Sequence, residues 1–134
     1  MAIQKVLVVD DSKTELMFMT DLLQKYGFAV KTAENAEDAF RRLAEEKPDL
    51  ILMDVVMPNL NGFQATRSIT RHPTTKHIPV VLVTTKDQDT DRVWGMRQGA
   101  KAYLTKPFSE TELADVITQV MGGSAPETPP LAAA

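Results

Sequence analysis

Three aspartates, a threonine and a lysine each stand where an apolar run stops. Val6–Val9 gives way to Asp10, Asp11 and Ser12; Leu50–Met53 to Asp54; Pro79–Val83 to Thr84 and Thr85; and Ala102–Thr105 to Lys106 and Pro107. Apolar runs this short, without alternation, fit strands buried on both faces of a parallel sheet. The carboxyl ends of such strands share one edge, where open α/β sheets bind their ligands. Carboxylates gathered there repel one another, and a single lysine does not balance three of them. A divalent cation would, and an all-oxygen donor set without histidine or sulfur favours a hard ion such as Mg²⁺. Mg²⁺ commonly leaves positions for phosphate oxygens, so a phosphoryl group is the natural missing ligand. Asp54 can then be the nucleophile that receives it as an aspartyl phosphate. Lys106 and the metal would neutralise the phosphoryl oxygens, and the Thr84 hydroxyl would hydrogen-bond one of them.

Each residue also has a plainer reading. Asp11 and Ser12 suit a helix cap, Asp54 a turn, Thr84 an ordinary strand end, and Lys106 a solvated loop. The coincidence of all of them at four strand ends is what favours chemistry.

The elements that must position these residues are legible in order. After Val6–Val9, Leu16, Met19, Leu22 and Leu23 recur at helical spacing up to Gly27, which suits the residue after a helix end. Phe28–Thr32 is a short strand. Asn35 with Asp38 opens a helix whose Ala39, Phe40 and Leu43 face inward, and Pro48 forbids its continuation. After the Leu50–Met53 strand, Pro58, Asn59, Asn61 and Gly62 form a turn leading to a helix over about 63–71. His72 and His77 lie in a polar connection and read as solvated residues. Pro79–Thr85 is the fourth strand, a helix runs from about Gln88 to Gln98 and stops at Gly99, and Ala102–Thr105 is the fifth strand. Ser109 and Glu112 match a capping box and start a last helix, to about Met121. Strands alternating with helices in this way imply right-handed crossovers and helices on both faces of a parallel sheet. The predicted fold is α/β, doubly wound, with five strands and five helices.

At 134 residues, with 43% hydrophobic and 25% charged residues, the chain has the size and composition of one soluble globular domain. The domain is placed at 1–121, and the small and Pro-rich segment 122–134 is read as a disordered tail. A net charge of −3 offers no basic footprint for DNA. The absence of cysteine excludes disulfides, thiolate metal sites and a cysteine nucleophile. No stretch approaches the ~20 apolar residues needed to cross a bilayer, and Met1–Lys5 does not have the pattern of a signal peptide. A cytoplasmic location without membrane insertion is expected.

Taken together, Val8–Ser12, Met53–Pro58 followed by Asn61 and Gly62, Val83–Thr85, and Tyr103–Phe108 resemble the receiver domain of two-component response regulators. The resemblance covers residues 3 to 121. It implies a flavodoxin-like (βα)5 sandwich with strand order 2-1-3-4-5, and a phosphorylation-activated switch rather than an enzyme that turns over an external substrate. Asp54 would be the phosphoacceptor, charged from the phosphohistidine of a sensor histidine kinase or phosphotransfer domain. Asp10, Asp11, Asp54 and the backbone carbonyl of Val56 would serve Mg²⁺, with Lys106 on the phosphoryl group and a cis bond between Lys106 and Pro107. Thr84 and Tyr103 would form the switch pair: Thr84 moves to the phosphoryl oxygen, and Tyr103 turns into the space released. That would reshape the face made by the fourth helix, fifth strand and fifth helix, to which a downstream protein binds. Trp94 is expected partly in the core of the fourth helix or beside that face. Thr85 is larger than the residue usual there and is expected to restrict access. Val56 and Lys86 occupy positions that tune dephosphorylation in the family, and an apolar Val56 cannot orient a water, so no special acceleration of hydrolysis is expected. Within the family, the segments 58–67, 83–88, 93–95 and 97–100 look most like stand-alone twitching-motility regulators, which places the chain in pilus or chemotaxis-like signalling.

Other classes fit less well. An aspartate-nucleophile hydrolase of the haloacid dehalogenase type typically carries an acid two residues after its nucleophile, where this chain has Val56. A flavodoxin-like nucleotide binder would have a Gly-rich phosphate loop where Asp10, Asp11 and Ser12 stand. A binding module that works without phosphorylation stays open, as does a phosphate sink draining a shared kinase. No output domain is expected after residue 121, so any output would come from the receiver surface.

Overall fold

In a computed structural model, residues 5–120 are described; the predicted tail 122–134 lies outside them. The order is β1 (Lys5–Val9), α1 (Lys13–Lys25), β2 (Ala29–Ala33), α2 (Ala36–Glu45), β3 (Leu50–Met53), α3 (Gly62–Arg71), β4 (Val80–Thr84), α4 (Asp89–Arg97), β5 (Ala102–Thr105) and α5 (Glu110–Val120). All strands are parallel, in the order β2-β1-β3-β4-β5. The predicted fold class and strand order are therefore observed.

The unbroken apolar runs have a direct physical cause. Alternate residues of one strand enter two separate cores, one on each face of the sheet. Val6, Val8, Leu50, Leu52, Val81 and Val83 pack with Leu16, Leu23, Leu113 and Ile117 of α1 and α5. Leu7, Val9, Ile51, Met53, Val80 and Leu82 pack with Ala39, Leu43, Phe63 and Ile69 of α2 and α3. Phe40 packs against the second core while partly exposed.

Helix starts follow the side chains that can accept from free backbone N–H groups. Ser12 accepts from Glu15 N, Asn35 from Asp38 N, and Asn61 exchanges reciprocal bonds with Gln64. Ser109 and Glu112 form the predicted reciprocal pair, at 3.0 and 3.1 Å. After α1, Gly27 has φ 94°, a conformation that costs glycine little. Three strands differ from expectation by a residue at one end or both, and β1 begins at Lys5 rather than Val6. β2 includes Ala33 rather than Phe28, which is buried in the α1 core instead. β4 begins at Val80, and Thr85 leaves the sheet as an exposed residue.

Thr66 departs from the otherwise satisfied interior. It is 0% exposed in α3, and among the described residues its hydroxyl is the one buried side-chain polar atom without a hydrogen-bond partner. An orphaned buried hydroxyl costs stability, and a methyl of the same shape does not. Thr66→Val is expected to stabilise the protein by about 1 kcal/mol in urea unfolding; a loss of stability would mean that the hydroxyl has a partner in solution.

Candidate functional site

The sheet register builds the site. Val9 is level with Met53, so Asp10 and Asp54 emerge side by side. Their amides are fixed by the neighbouring strands, Asp10 N–H to the Ala33 carbonyl at 3.0 Å and Asp54 N–H to the Val9 carbonyl at 2.9 Å. Thr84 is level with Thr105, and Lys106 N–H donates to the Thr84 carbonyl at 2.8 Å. Ladder bonds and their extensions thus carry four side chains of three chemical kinds to one edge.

Asp10 and Asp54 are buried, at 5% and 7% exposure, while Asp11 is exposed. One oxygen from each of the three carboxylates lies within 4.8 Å of the others. Lys106 Nζ donates to Asp10 Oδ2 at 2.6 Å. Asp10 Oδ1 accepts the Ser12 N–H at 2.9 Å, so both of its oxygens are engaged. Asp54 Oδ1 accepts a long contact, 3.4 Å, from the Val56 N–H, and the Thr84 hydroxyl also bears on this carboxylate. The pair is uneven: Asp10 is neutralised in place and Asp54 is left more open. The donors are oxygens only, and they outnumber the local positive charge, which fits a hard divalent cation.

Electrostatics repeat that asymmetry. Burial is the main force raising the Asp54 pKa; Lys106 opposes it, Asp10 adds to it, and the Thr84 hydroxyl and Val56 N–H lower it in part. Burial alone would pull the Lys106 pKa down, but the bond to Asp10 and the charges of Asp54 and Asp10 outweigh it and leave the ammonium favoured. Tyr103 is half-buried, and its hydroxyl donates to the Lys86 carbonyl at 2.7 Å. Burial, with Asp91 beside it, pushes the phenol up to about 12.

The loop after Asp54 depends on close approach. Gly62 N–H donates to the Val55 carbonyl at 2.9 Å. A Cβ on Gly62 would sit 2.1 Å from the Asp54 carbonyl oxygen and 2.7 Å from Val55 Cα, so both clashes are with backbone. Asn59, at φ 66°, supplies the left-handed residue of the same turn.

The structure brings Asp10, Asp11 and Asp54 together, with Lys106 on Asp10 and Thr84 wholly buried at the adjoining strand end. The Lys106–Pro107 peptide is cis. Val56, at 55% exposure, and the exposed Thr85 stand in the neighbouring loops. Trp94 is 48% exposed, so it belongs to the surface of α4 and not to the core. His72 and His77 are exposed; His72 Nδ1 lies 2.9 Å from the Thr74 hydroxyl. Nothing in the sequence pattern points to Arg92, whose guanidinium lies over the Tyr103 ring at 5.2 Å. A cation eleven positions from an aromatic carries no periodic signal, and only the packing of α4 on β5 reveals it.

Two outcomes follow. Gly62→Ala must displace backbone and is expected to cost about 1–3 kcal/mol in urea unfolding; an unchanged midpoint would show that the loop yields freely. For Asp54, the raised folded-state pKa sets the sign. Its stabilising effect is complete below the unfolded pKa, near 3.9, and is lost as pH rises through the folded value. Asp54→Asn is therefore expected to be more stable than wild type at neutral pH. Urea midpoints should converge as pH falls toward 4; a gap of opposite sign, or one constant with pH, would contradict the burial argument.

Comparison with known proteins agrees with this geometry. Residues 6–118 match the response regulator receiver domain. The chain is 54% identical to protein PilH of Pseudomonas aeruginosa over 119 residues, which is 89% of this chain and 98% of PilH. It is 40% identical to protein PilG of the same organism over 113 residues, 84% of each chain. Among solved structures, Vibrio cholerae chemotaxis protein CheY4 superposes with a TM-score of 0.83 at 30% identity, over 89% of this chain and 99% of that one. No helix among the described residues is long and apolar enough to cross a membrane. With this fold, this edge of acidic residues and a match spanning nearly the whole described chain, the protein belongs to the response regulator receiver domain family.

Proposed function

We propose that the protein is a signalling switch in which Asp54 accepts a phosphoryl group from a histidine kinase or phosphotransfer domain. The observation that carries this reading is the convergence of Asp10, Asp54, Thr84 and Lys106 from four strand ends. A carboxylate oxygen of Asp54 attacks phosphorus as the bond to the kinase imidazole nitrogen breaks, and the freed imidazole departs. Asp54 suits the nucleophile's role because burial destabilises its charge and its hydrogen bonding is sparse. Asp10, Asp11 and Asp54, with the Val56 carbonyl, would hold Mg²⁺, which when bound offsets charge on the phosphoryl oxygens. Lys106 sits on Asp10 at 2.6 Å in the unmodified protein, within the same cluster, and turns toward the phosphoryl oxygens once they arrive. The buried Thr84 hydroxyl donates to one of those oxygens.

A dianion at Asp54 biases the positions of Thr84 and Tyr103 and so the α4-β5-α5 surface, the general logic of such switches. That surface offers exposed apolar residues on α4, Val93, Trp94 and Met96, for a downstream protein. The likeness to PilH and PilG supports a setting in twitching or chemotaxis-type signalling, in the cytoplasm, without direct DNA binding. An exposed apolar Val56 supports slow rather than accelerated autodephosphorylation.

Intact mass after incubation with acetyl phosphate and Mg²⁺ tests the reading. One phosphoryl adduct is expected on wild type, with none on Asp54→Asn or in the presence of chelator. A folded wild type without adduct would sink the proposal and leave a module that binds without phosphorylation.

A further inference from the structure

Apolar burial does little to hold α4 on the sheet. Gly95 is the only buried residue within the helix, while Val93, Trp94 and Met96 are 53%, 48% and 46% exposed. Arg92 adds a polar attachment to β5. Its Nη2 donates to Thr105 Oγ1 at 2.6 Å, and its guanidinium carbon lies 5.2 Å from the centroid of the Tyr103 ring. Gly95 also lies close to the ring, since a Cβ there would come 3.2 Å from Tyr103 Cδ2 and 2.6 Å from Leu82 Cδ1. The Tyr103 hydroxyl is tied to the Lys86 carbonyl at 2.7 Å, and the Lys86 ammonium lies 3.6 Å from Asp91. Tyr103 is therefore clamped at its face by Arg92, against Gly95, and at its hydroxyl by the β4-α4 loop.

We infer that Arg92 is a positioning residue of the switch, holding Tyr103 in this packed arrangement and so setting how readily Asp54 takes up its phosphoryl group. The inference rests on the phosphoryl-switch reading above. Binding free energies are reciprocal: if a phosphoryl group at Asp54 favours the packed Tyr103, whatever favours the packed Tyr103 tightens binding at Asp54. A cation over a partly desolvated aromatic, joined by a charge-assisted hydrogen bond, is strong enough to shift such an equilibrium several-fold. The planar guanidinium serves the ring and Thr105 together, which a lysine ammonium cannot do in the same geometry.

The test is the affinity of beryllofluoride, a phosphoryl mimic, in Mg²⁺, read from the fluorescence of Trp94, the single tryptophan. A second readout is the ring signals of the two tyrosines in ¹³C-labelled protein, assigned with Tyr26→Phe. Arg92→Ala is expected to weaken beryllofluoride about 3- to 10-fold and to shift the Tyr103 ring signal without ligand. Thr105→Val should reproduce part of the loss, and Arg92→Lys should restore only part of the affinity. In a Tyr103→Leu background, Arg92→Ala should have no further effect. If Arg92 merely fastens the helix, the urea midpoint falls while affinity holds, or affinity falls equally in both backgrounds; either result overturns the inference. An unresponsive wild type would sink the phosphoryl reading and with it the link to Asp54. An unchanged Tyr103 signal in Arg92→Ala overturns the clamp alone.

Discussion

The constraint behind this molecule is that two aspartates, Asp10 and Asp54, are buried next to each other with one ammonium bound to Asp10. Apolar packing alone would not choose this arrangement, because taking carboxylates out of water is costly unless they are paired. The protein pairs only one of them. Asp10 receives Lys106 and the Ser12 amide, and Asp54 is left partly served. The parallel ladder makes this tolerable. Strand ends fixed by ladder-like hydrogen bonds cannot drift apart to relieve the repulsion, so the residual negative potential persists at this edge.

Much of this was legible in the residues. Val6–Val9, Leu50–Met53 and Val80–Val83 read as buried strands because both faces of the sheet are covered, and a two-sided core leaves no alternation. Once the strands are parallel, Asp10, Asp54, Thr84 and Lys106 must share an edge, and this needs no knowledge of side-chain geometry. Three features were not legible. The pairing of Lys106 with Asp10 is a matter of ångströms among near-equivalent carboxylates. The place of Trp94, left open between the core and the surface, is decided by the packing of α4, which leaves it exposed. Arg92 on Tyr103 joins two elements through a turn whose path no periodicity describes.

The helices divide the labour unequally. On the α1 and α5 side, Leu16, Leu23, Leu113 and Ile117 interlock with the strands. On the other side, α2 and α3 do the same through Ala39, Leu43, Phe63 and Ile69. The fourth helix contributes one buried residue, and its contacts with β5 run through Arg92, Gly95 and Tyr103. Rigid packing thus holds the acidic edge, and looser packing lies where shape can change.

A helix seated on a glycine and an arginine has an evolutionary consequence. Its outward positions, Val93, Trp94 and Met96, hold up little of the interior and can be exchanged at small thermodynamic cost. Gly95 and Arg92 cannot be exchanged so freely, because one is seated on Leu82 and the Tyr103 ring and the other lies over that ring. Descendants of one ancestral chain could therefore acquire different outer surfaces on this helix while the acidic edge stayed intact, letting duplicated copies diverge on one face before they diverge at the other.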